Sequence, residues 1–201
     1  MLAIIDAAGW PIWPIIAASI TALGIIGERL WTLRRAAVAP RDLLDRTAAD
    51  YVSNGVSQEM LDRLGKSSFL GHIFAAGLRH AGDSREMIRD AIEEAGRAAT
   101  VEMSRFISAL GTIASIAPIM GLLGTVIGMI EIFGSQGPGG SSPAQLAHGI
   151  SIALYNTAMG LVVAIPSMIF YRFFRNRVEI LVVDMEQQAV KLAEILRGDN
   201  K

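Results

Sequence analysis

Cysteine is absent from the 201-residue chain, which excludes a disulfide framework and any thiolate metal site. An excess of positive charge is also missing. With 18 Lys and Arg against 19 Asp and Glu the formal net charge is -1, so nothing favours a nucleic-acid partner. No nucleophile elbow, phosphate loop or metal-ligand spacing occurs, and His72 and His80 belong to no such pattern. These absences make an enzyme the weakest of the functional readings and give no reason to expect a cofactor. The most informative absence is of any charge in three long stretches, 7–27, 106–130 and 132–171, the last interrupted by a polar GSQGPGGSSP.

What fills those stretches is apolar. Hydrophobic residues make up 52% of the chain and the mean hydropathy is +0.42, too high for an ordinary soluble domain of this size. About 20 apolar residues, rising about 1.5 Å each, cross a bilayer core, so each stretch supplies one span. The expected order is a short periplasmic segment (1–8), a first span (9–31), a cytoplasmic helical region (32–105), a second span (106–133), a periplasmic loop (134–144), a third span (145–172) and a cytoplasmic helix (173–201). Orientation follows from the basic residues: twelve lie between Arg29 and Arg105 and six between Arg172 and Lys201, while Asp6 and Glu131 are the charges left outside. The first basic residue falls after the first apolar run, so that run reads as a retained anchor and not a cleaved signal. Trp10 and Trp13 mark its outer edge and Trp31 its inner edge.

Between Thr32 and Ser84 the chain is mixed and polar, with turn signals at SNG and AGDS, and predicts short helices in water. From a cap at Asp83 or Ser84, the residues Ile88, Ile92, Ala95, Ala99 and Met103 share one helical face. No breaker follows, which predicts one long helix running into the second span. Beyond the third span, Val178, Leu181, Met185, Gln188, Leu192 and Ile195 continue a similar stripe. Each stripe has to pack on another helix, within the chain or in a second copy; two of them in so small a protein favour an oligomer.

Inside the spans the apolar runs carry small and hydroxyl side chains. Ser108, Gly111, Ser115, Pro118, Leu122 and Thr125 recur at steps of three and four, and Gly149, Ala153, Thr157 and Gly160 share a face of the third span, followed by Pro166. Small residues let helices approach closely, and a hydroxyl can bond back to a carbonyl one turn earlier, so packing alone could explain each one. The pattern as a whole asks for a partner or a wet path. No Asp, Glu or His lies deep in a span; Glu131 and His148 sit near span ends, where both read as interfacial groups more readily than as proton relays. Hydroxyls alone cannot take up a proton at neutral pH, so a proton-driven role needs a carboxylate from another helix.

The stretches IAPIMGLLGTVIGMIEIF (116–133) and GISIALYNTAMGLVVAIPSMIFYRFF (149–174), with ERLWTLRR after the first span, resemble the MotA/TolQ/ExbB proton-channel family, and within it the ExbB branch most. Three spans point away from the MotA branch. The resemblance implies an all-α membrane protein forming a homopentameric ring in the bacterial inner membrane. Its second and third helices line a pore that encloses single-span, ExbD-like subunits, whose aspartate carries the proton. It implies that Thr125 in GLLGTV and Thr157 in NTAMGL belong to the proton pathway. Ser115, Pro118, Gly121, Leu122, Ala153 and Gly160 would face the pore or pack on the partner helix. Proton flow would energise a TonB-like protein and so the uptake of ferric siderophores or cobalamin; a TolQ-like role in envelope integrity and cell division, or a purely structural scaffold, are the alternatives. The chain departs from the pattern at Ile152, where the family commonly has an acidic residue, and Asn156 is a second local variation.

Overall fold

The structure is a computed structural model that describes residues 9–134 and 143–197, so the expected segment 1–8 and most of the expected loop 134–144 lie outside the described residues. Helices are α1 (Ile12–Thr32), α2 (Arg35–Val38), α3 (Leu43–Asn54), α4 (Gln58–Ser67), α5 (Phe69–Arg79), α6 (Arg85–Ser104), α7 (Ile107–Gly134) and α8 (Pro143–Leu196), with no strand among the described residues. Three of the helical segments, Ile12–Thr32, Arg85–Gly134 and Pro143–Leu196, are long and apolar enough to cross a membrane. The chain divides into two compact units: Met1–Glu28 with Phe106–Phe173, and Arg29–Arg105 with Phe174–Lys201.

Within the first unit α1, α7 and α8 pack together. The buried residues of α1, Ile12, Ile15, Ala22 and Ile26, fall at helical spacing on one face, and Ile15 meets Ala117 of α7 and Val163 and Ala164 of α8. Trp10 and Trp13 are exposed on the other side, as interfacial anchors are. Pro11 precedes α1 and Pro14 lies in its first turn, where a missing N–H breaks no helical hydrogen bond. Pro118 and Pro166 sit inside α7 and α8 without ending either helix.

The second unit is built as a water-soluble domain would be. Ser57, Ser68 and Ser84 each accept a hydrogen bond from an N–H three residues on, capping α4, α5 and α6. Gly55 ends α3 with φ 69°, a conformation costly for any residue with a Cβ. The core is formed by Leu70, Phe74 and Leu78 of α5, Ile88, Ala99 and Met103 of α6, and Val178, Leu181, Met185 and Leu192 of α8. Both predicted stripes are therefore largely buried within one chain, and they lose their force as an argument for an oligomer. The end of α1 is tied in by guanidinium groups: Arg177 Nε donates to the Leu33 carbonyl at 3.3 Å, and Arg35 pairs with Asp184 at 2.9 Å.

One expectation fails. The helix predicted to run unbroken from Ser84 through the second span is interrupted at Arg105–Phe106, between α6 and α7. Arg105 is extended (ψ 141°) and Phe106 is left-handed (φ 63°), although neither is a helix breaker by type. Such a φ costs a bulky residue about 1–3 kcal/mol, so surrounding packing must impose it. The buried Arg29 supplies part of the reason: its Nη1 donates to the Met103 carbonyl at 3.3 Å, one of the carbonyls that the end of α6 leaves without a helical N–H.

Candidate functional site

The α7 and α8 helices run antiparallel at close range, and their register can be read from the glycines. A Cβ placed on Gly160 would lie 2.5 Å from the Ala117 carbonyl oxygen, and one on Gly121 would lie 2.7 Å from the Asn156 carbonyl oxygen and 2.9 Å from Thr157 Cα. One on Gly124 would strike the Asn156 side chain at 2.7 Å, one on Gly128 would approach Ala153 at 3.0 Å, and one on Gly149 would meet Ile132 at 2.8 Å. Backbone therefore touches backbone along most of the seam. Hydrocarbon offers helices no hydrophobic drive to associate, and close van der Waals contact of this kind replaces it.

This geometry sorts the candidate residues. Gly121, Ala153 and Gly160 are buried in the seam, inside a single chain. Ser115 and Leu122 are exposed, and Pro118 and Thr125 are half-buried beside them. The buried face of α7 is Ile107, Leu110, Ala114, Ala117, Gly121 and Gly124. Leu122 and Thr125 thus lie outside the closest intrachain contact, on a face that also leaves Ile119 and Val126 exposed.

The hydroxyls differ among themselves. Thr21, Thr112, Ser115, Ser151 and Ser167 each donate to the carbonyl four residues earlier, and Thr125 donates to the Leu122 carbonyl at 2.6 Å. These bonds satisfy the hydroxyl at no cost to neighbouring helices. Thr157 does otherwise: its Oγ1 is buried and has no hydrogen-bond partner among the described residues. A buried hydroxyl without a partner costs about 1–3 kcal/mol, and a second helix or a water can recover that energy. Asn156, beside it, is 1% exposed with its amide packed on Gly124. Sequence reading treated Asn156 as a local variation and missed Gly124; the three-and-four spacing that starts one residue earlier, at Ile107, was the available signal.

No group of three or more His, Asp and Glu side chains suited to a metal ion occurs among the described residues. Neither helix carries a carboxylate at the level of Thr157, so what this site offers is a donor and acceptor oxygen and not an acid.

Residues 66–187 match the MotA/TolQ/ExbB proton channel family. The chain is 30% identical over 166 residues to a biopolymer transport protein of Synechocystis sp. described as ExbB-like 3, covering 81% of this chain and 79% of that protein. It is 36% identical over 172 residues to the ExbB-like 1 protein of the same organism, covering 82% of this chain and 66% of that one. It is also 30% identical over 185 residues to the Tol-Pal system protein TolQ of Haemophilus influenzae, covering 86% of this chain and 79% of its relative.

Proposed function

The chain belongs to the MotA/TolQ/ExbB proton channel family, and we propose that within it this protein is an ExbB-like, proton-conducting subunit. It acts with a single-span, ExbD-like partner that supplies the carboxylate. The observation that carries this reading is the buried Thr157 hydroxyl, which has no hydrogen-bond partner in its own chain's described residues while its neighbours bond back to their helix. A hydroxyl left open in an acid-free helix pair suits an acid on another helix. Thr125, on the accessible side of α7, is the second hydroxyl of the path.

The working assembly is a homopentamer in the bacterial inner membrane, N-terminus periplasmic and C-terminus cytoplasmic, as the placement of all 18 basic residues in two segments favours. The energised step serves a TonB-like protein and the import of ferric siderophores or cobalamin. A TolQ-like role in envelope integrity is the second reading, favoured by the 30% identity to TolQ over 86% of this chain.

The test is proton flux into liposomes carrying the chain with and without its partner. Flux should require both, and Thr157→Val should lower it by about tenfold, the equivalent of one hydrogen bond, while the oligomer survives. Strong flux from the chain alone, or full flux from Thr157→Val, refutes the assignment. Loss of the oligomer in parallel with flux would instead assign Thr157 to helix packing.

A further inference from the structure

A cavity of about 360 Å³ opens in the first unit between the residues that lead into α1, the last three turns of α7 and the first turns of α8. Gly9 and Pro11 close one side, Gly128 and Ile152 form the walls, Glu131 lines it and Asn156 reaches it from the seam. Glu131 lies seven positions beyond Gly124, so the cavity follows α7 for about 10 Å toward the level of Thr157. At about 30 Å³ per water it has room for several, and it has polar groups at both ends to hold them.

Its charge is one-sided. Glu131 is the sole ionisable residue among the described residues lining the cavity, and in the sequence the sole Asp, Glu, Lys or Arg between Arg105 and Arg172. An uncompensated carboxylate beside low-dielectric walls concentrates cations. Asn156 cannot take up a proton, but an amide both donates and accepts hydrogen bonds and so suits the end of a water chain. Its neighbour in sequence is Thr157, with the open hydroxyl.

We propose that this cavity is a hydrated vestibule in which Glu131 collects the monovalent cation, hydronium or sodium, that the protein conducts. For hydronium the balance is simple: the carboxylate takes the proton and leaves water, then returns the proton to the water chain that ends at Asn156. The inference rests on the conducting role proposed above but assigns a residue that the threonine pathway does not include.

The absence of native cysteine makes the vestibule directly measurable. In the full chain assembled with its partner in membranes, Ile152→Cys should react with a membrane-impermeant thiol reagent at least tenfold faster than Ile20→Cys, which is exposed on the apolar face of α1. Equal rates at the two positions overturn the vestibule, whatever the protein conducts. For Glu131, flux under a proton gradient and under a sodium gradient identifies the cation. Glu131→Gln should lower the relevant flux at least fivefold with the oligomer intact; Glu131→Asp should retain most of it. Ile152→Glu added to Glu131→Gln should restore flux, because both positions line the same cavity. Full flux in Glu131→Gln with loss in Thr157→Val overturns the collecting role and leaves the conducting one standing. Full flux in both variants overturns both.

Discussion

Where α7 meets α8, the side chains in contact have almost no carbon: Gly121, Gly124 and Gly160 on one side or the other, with Ala117 and Ala153 between them. Where α5, α6 and α8 build the second unit, the contacts are Phe74, Leu70, Met103, Leu181 and Leu192, all nearly inaccessible. The difference matches the surroundings that the charge pattern leads one to expect for each unit, lipid for the first and water for the second. Water drives large apolar groups together and rewards every buried methylene. Lipid tails are as apolar as leucine, so a helix pair inside them gains by approaching until backbones touch. In one unit stability is lost by removing carbon, in the other by adding it.

The comparison can be broken from either end. The largest effect is expected for Phe74→Ala, about 3–5 kcal/mol from the transfer and cavity terms together, read in the chemical unfolding of the full chain in detergent. Gly160→Ala should follow at about 1–3 kcal/mol, since the new methyl meets the Ala117 carbonyl oxygen, which has no rotamer to escape into. Gly96→Ala in α6 should do the opposite: nothing lies within 4 Å of its Cβ position, so helix propensity should dominate and stabilise by up to about 1 kcal/mol. If Gly160→Ala proved as harmless as Gly96→Ala, the seam would be looser than the register implies.

The smallest effect concerns pH. Asp50 has its carboxyl held below the ordinary range by a hydrogen bond from Asn54, then by Arg63, whose guanidinium lies 2.6 Å away. Because the folded value is depressed, this contribution is present above the unfolded pKa and is lost as pH falls through the folded one. Asp50→Asn should therefore lower stability slightly at neutral pH and leave the most acid region almost unchanged, so that the acid limb flattens. An unaltered acid limb would show that the exposed pair contributes nothing.

Much of this architecture was readable in the residues because the signals were local. The charge-free runs became three helices of spanning length, Ser84 capped α6 as its type suggests, and the stripe from Val178 to Leu192 found its core. The seam was less legible. Ile107, Leu110, Ala114, Ala117, Gly121 and Gly124 follow the same 3-4-3-4-3 spacing as Ser108, Gly111, Ser115, Pro118, Leu122 and Thr125, displaced by one residue. In a helix apolar all round, periodicity shows that faces exist but cannot say which one meets the neighbour. The break at Arg105–Phe106 left no trace in the local sequence, since neither residue is a breaker by type and one contact that holds it comes from Arg29, about 75 residues away, which donates to the Met103 carbonyl.

The seam also limits how the unit can move. A one-turn slip of α8 along α7 in one direction would carry Asn156 from Gly124 to Gly121, against which Gly160 now lies; in the other it would carry Ala153 from Gly128 onto Ile132, against which Gly149 now lies. Each places a side chain where only a hydrogen now fits. The two helices are thus geared, like a rack whose teeth are gaps: any stroke this unit makes has to carry both as one plank.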